Sequence, residues 1–160
     1  MSTPGYLWDL EEAVEDAIVT LLSASVSRVA MIIPARSVVA AKYPLVVVEA
    51  GESDNANDAA TFNGRRRMKV DVHVVTEAVN QSQELGQEEA TETAREQHRA
   101  IKRQVIGMLA STQLHDELNE QQPVGVLFSM AHMTGQARET GDAKLVTIQT
   151  LDIIAQPKEA

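Results

Sequence analysis

Arg65–Ala78 reads RRRMKVDVHVVTEA, and its alternation decides the fold. On an extended chain Met68, Val70, Val72, Val74 and Thr76 fall on one side, while Arg67, Lys69, Asp71, His73 and Glu77 fall on the other. Only Val75 breaks the pattern. This period of two predicts a half-buried β-strand whose apolar side needs a covering layer and whose polar side faces water or another chain.

The cover comes from two stretches with helical spacing. Over Leu7 to Leu22, the residues Leu7, Leu10, Val14, Ala17, Ile18, Leu21 and Leu22 form one apolar stripe, with Glu11, Glu12, Glu15 and Asp16 largely off it. Pro4 and Gly5 argue against a much earlier start. A second helix emerges from the acidic stretch Val79–Thr93 and turns basic through Arg95, Arg99, Lys102 and Arg103, an order that suits the helix dipole. Its stripe is Ala94, Ile101, Val105, Met108 and Leu109, with His98 on the same face. Ser111–Gln122 extends it by an irregular turn through Leu114 and Leu118, until Pro123 stops it.

Further strands are predicted at Arg28–Ile33, at Tyr43–Ala50 with its run of three valines, at Val124–Met133 and at Lys144–Ala155. Ala35–Ala41 reads ambiguously. Tyr43–Ala50 and Arg65–Ala78 pair antiparallel around Glu52–Gly64, a polar loop with three acids and no base. That loop is either a binding element or a flexible hairpin tip. In the third of these strands Val124, Val126, Phe128, Met130 and His132 are in phase, and Thr134–Asp142 is a turn. In the last, Val146 and Ile148 share one face while Leu151 and Ile153 share the other. A bulge near Thr150 would bring both pairs to the core, and so would burial of both faces. Residues 156–160 form a frayed tail. The expected architecture is one α+β domain over 1–160, with a polar loop at 51–64. Its sheet is antiparallel or mixed, of about four to five strands, with two main helices packed on one face.

Composition excludes several function classes. With 23 acids against 14 bases the formal net charge is -9, which opposes general nucleic-acid binding, and 3% aromatic residues leave few rings for stacking bases. The absence of cysteine rules out disulfides and thiolate metal sites. The acidic N-terminus is unlike a signal peptide, and no apolar run reaches the length of a membrane span.

Catalytic patterns are missing too. The eight glycines are scattered rather than clustered for phosphate. His73, His98, His115 and His132 lack the spacing of a helical zinc pair. No nucleophile elbow is present. No catalytic, metal or cofactor residue is therefore assigned. The basic cluster Arg65, Arg66, Arg67 and Lys69 is a candidate interface toward acids of a neighbouring subunit, such as Glu52, Asp54 and Asp58 of the loop. The alternative reading is a solvated strand start whose charge blunts an edge against unwanted pairing.

The sequence of elements resembles that of a known family. An acidic amphipathic first helix is followed by Tyr43-Pro-Leu-Val-Val-Val48 ending in Glu49-Ala50-Gly51. A long polar loop, an arginine-rich entry into Lys69-Val-Asp-Val-His-Val-Val75, one long covering helix and two final strands ending near Asp152-Ile-Ile-Ala155 complete the set. This layout, over nearly the whole chain, resembles the tail-terminator and tail-completion proteins of tailed bacteriophages. The resemblance implies a non-enzymatic virion protein of the tail neck, assembled in the host cytoplasm as a homo-oligomer, typically a hexameric ring. Such a ring ends tail-tube polymerisation and joins the tail-tube protein to the head-side neck protein, while DNA passes through without sequence-specific binding and no membrane is involved. Arg28–Ala41 departs from the layout as a further strand or an arm. The alternatives are another virion connector or minor tail protein, or a bacterial α+β ligand-binding domain.

Overall fold

The computed structural model describes residues 3–37, 39–52, 54–55, 65–77, 87–123, 125–140 and 144–157. In chain order they form α1 (Thr3–Ser25), β1 (Met31–Pro34), β2 (Leu45–Ala50), β3 (Asp54–Asn55), β4 (Arg66–Glu77), α2 (Gln87–Leu109), α3 (Leu114–Glu120), β5 (Val126–Thr140) and β6 (Lys144–Pro157). The chain is an α+β fold with a mixed sheet in the order β1-β2-β4-β6-β5, and the short β3 pairs with β4. Only β1 and β2 run parallel; the other pairs are antiparallel.

The alternation in β4 sorts its side chains as its sequence requires. Met68, Val70, Val72, Val74 and Thr76 are buried, whereas Arg67 and Lys69 are exposed. The buried set meets Leu10, Val14, Ile18 and Leu22 of α1, Ile101, Val105 and Leu109 of α2, and Leu114 and Leu118 of α3 in one core. Each such side chain, fully withdrawn from water, stabilises the fold by roughly 1.5–3 kcal/mol before ordering costs are counted.

Several expectations are corrected. Helix α1 begins at Thr3 and contains Pro4 and Gly5; proline fits there because the first-turn N–H it lacks would have no intrahelical acceptor. The segment after α2 is a separate short helix rather than an extension. Part of the predicted polar loop, Asp54–Asn55, is strand opposite Arg66 and Arg67, and the rest of that loop's question lies outside the described residues.

The largest departures concern β5 and β6. Strand β5 runs through the predicted turn to Thr140, and its register shifts between Phe128 and Met130 and again between Met133 and Gly135. An extra residue in one strand flips the facing of those beyond it. Val126, Phe128 and then Ala131 are therefore buried, while Met130 is half-buried and His132 exposed. The bulges lie in β5, and β6 stays regular: Thr147, Gln149, Leu151, Ile153 and Ala155 all face the helices, leaving Val146 and Ile148 half-buried on the other side. Gln156 and Pro157, expected in a frayed tail, pair with Leu127 and Val126.

Candidate assembly surface

Helices cover one face of the sheet; the opposite face is ordered in cross-strand rows by the register. One row runs Met31, Leu45, Val75, Val146, and the next runs Ile33, Val47, His73, Ile148. These apolar side chains are half-buried, except Leu45, which is buried yet outside the core cluster. Farther along, the rows become charged: Glu49, Asp71, Thr150, then Lys69, Asp152, His132. The face is thus apolar at one end and ionic at the other.

The ionic end is internally organised. Arg67 Nε donates to Asp152 Oδ1 at 3.0 Å and Nη2 to Oδ2 at 2.5 Å, a bidentate pair between neighbouring strands. The donated hydrogen bond from Arg67 holds Asp152 below the usual carboxylate range, against the opposing effect of burial. Thr150 Oγ1 donates to Asp71 Oδ1 at 2.7 Å, and His73 Nε2 lies 3.7 Å from Glu49 Oε1. The donor atoms of Glu49, Asp71 and His73 fall within 4.8 Å of one another, so these are the described residues that could hold a divalent ion. Glu49 and Asp71 stand directly opposite each other, where like charges repel unless a cation or a protonated His73 offsets them.

The predicted interface residues are dispersed by the pleat. Arg67 and Lys69 lie on the uncovered face, but Arg66 stands opposite the core residue Ala155 and so belongs to the helix-covered side. Arg67 is engaged with Asp152, Asp54 stands opposite Arg67 across β3 and β4, and Arg65 is half-buried just before β4. Glu52 is exposed beyond β2, and Asp58 lies outside the described residues.

Two functional features escaped sequence reasoning. Glu15, which reads as a solvated acid, is 7% exposed; Oε2 accepts from the Ala50 N–H at 2.8 Å and Oε1 from Arg36 Nη1 at 2.8 Å. Arg36, distant in sequence, also reaches Asp16, so no local pattern marks this clamp. The second is β5. Among the described residues its outer edge has no strand partner, and every side chain from Thr134 to Glu139 is exposed. The predicted turn concealed that edge, because Gly135 and the polar residues around it carry turn chemistry. Set against protein-family models and curated proteins, the chain matches none.

Proposed function

We propose that this protein is a ring-forming structural subunit of a phage tail neck, ending tail-tube polymerisation and joining the tail to the head-side connector. The observation that carries the reading is the open sheet. The outer edge of the 15-residue strand β5 has no strand partner among the described residues, and it adjoins a sheet face that carries two apolar rows and no helix among the described residues. A long free edge is a template for pairing with another chain, and a head-to-tail contact repeated around an axis closes a ring. The resemblance of the element order to that of tail-terminator proteins supports the neck reading. Because each copy carries a formal -9, closure must overcome like-charge repulsion through apolar contact and strand pairing. No helix among the described residues is long and apolar enough to cross a membrane.

The test is the mass of the purified protein in solution, followed by electron microscopy alone and with tail tubes. Rings that cap tube ends are expected. A protein that stays monomeric at high concentration and leaves tube ends bare overturns the reading.

A further inference from the structure

Between α2 and the distal β5–β6 hairpin lies a cavity of about 310 Å3, on the helix-covered side of the sheet and away from the face described above. Arg95, His98, Arg99 and Lys102 line it from one stripe of α2, and Arg138 and Glu139 line it from β5. The size is at the lower end of small-molecule sites, about 300–1,000 Å3. Four cations therefore converge with one carboxylate in a chain that carries 23 acids and 14 bases.

These cations differ from Arg36 and Arg67. Arg36 reaches three carboxylates and Arg67 one. No ion pair or side-chain hydrogen bond among the described residues engages Arg95, Arg99, Lys102 or Arg138. Their frame is rigid. His98 is 8% exposed, with Nδ1 3.0 Å from Thr76 Oγ1 and Nε2 2.6 Å from Thr147 Oγ1, which ties α2 to β4 and β6. Arg138 stands directly opposite Thr147 in the β5–β6 register. The cations of two elements thus line one concavity, with Arg95, Arg99 and Arg138 accessible to a ligand from solvent.

We propose that this cavity binds a multiply charged phosphoryl group, held by Arg95, Arg99 and Arg138 with Lys102 as a further point charge. Three guanidinium forks match the several oxygens of phosphoryl groups, each able to make paired N–H···O bonds. A single carboxylate would offset only one of the four positive charges, whereas an oligophosphate or adjacent phosphodiesters offset most of them. The chemistry is the same whether the group comes from a free oligophosphate or from a nucleic-acid backbone, and it does not rest on the neck-ring reading.

Calorimetric titration of the full chain tests this with two probes, sodium tripolyphosphate and a short DNA duplex. Saturable binding of either probe is expected. Arg99→Ala with Arg138→Ala should weaken it about tenfold or more, while Arg103→Ala, an exposed α2 cation outside the cavity lining, leaves it unchanged. Thermal unfolding of each variant confirms that the fold persists; if the double variant unfolds, Arg138→Gln alone carries the comparison. Tripolyphosphate binding without DNA binding identifies a free phosphoryl ligand, and the reverse identifies a phosphodiester backbone. No saturable binding of either probe overturns the proposal. So does equal weakening by Arg103→Ala, or uptake of a glutamate-rich peptide in place of both probes.

Discussion

His98 makes the stability of this fold depend on pH in a window that can be isolated. Burial, and then the positive charges of Lys102 and Arg138, lower its pKa from 6.5 to about 4. The ring is therefore neutral at pH 7, one nitrogen donating and the other accepting, and the hydroxyls of Thr76 and Thr147 can take either complementary role. Below about pH 6.5 the unfolded chain binds a proton that the folded chain refuses. Stability is thus complete above that value and falls as pH drops toward 4, where the folded ring is protonated as well. Taking the ordinary value for the unfolded state, the loss from pH 7 amounts to about 2 kcal/mol at pH 5 and about 3 kcal/mol at pH 4. Urea unfolding at closely spaced pH values, for the natural protein and for His98→Gln, measures this as the difference between two curves. Other titrating groups cancel in that difference. Asp152 also falls outside the window, because its folded pKa lies below 3.8 and its contribution is lost only as pH falls beneath that value. Parallel curves for the two proteins, or an imidazole titration of His98 by NMR centred near 6.5, would refute the reasoning.

Three substitutions probe other parts of the fold. Gln149 is fully buried and neither amide atom has a hydrogen-bond partner among the described residues, so Gln149→Met should stabilise by about 1–3 kcal/mol, read as a higher Tm; an unchanged or lower Tm means that the amide is satisfied. Glu15→Ala removes the acceptor shared by Arg36 and the Ala50 N–H and should cost about 2–4 kcal/mol in urea unfolding, with Glu15→Gln losing less. Val72→Asp puts an unpaired charge under the helices at a residue with 0% exposure and should cost about 4 kcal/mol or more; a Tm near that of the natural protein would show that the faces of β4 are assigned the wrong way round.

Local periodicity carried the elements whose environment is uniform along their length. The alternation of β4, the stripe of α1 and the stripe of α2 with His98 on it could be read from residue types, because a strand repeats every two residues and a helix every three or four. That information also yielded an α+β fold with helices on one face. It failed for β5, where two bulges change the facing of the chain partway and Gly135 looks like a turn until β6 pairs with it. It failed for Glu15 as well, whose burial depends on Arg36 and on the end of β2, and for the arginines at 65–67, which the pleat divides between two faces.

The cavity shows the same division most sharply. The sequence by itself determined that α2 presents Arg95, His98, Arg99 and Lys102 at helical spacing, since that is a property of one element. Only the tertiary structure decided that Arg138 joins them in one cavity lining, that no ion pair among the described residues engages these cations, and that Thr76 and Thr147 hold His98 between two strands. Contacts between residues far apart in sequence depend on strand order and register, which long-range burial selects and no short window of residues records.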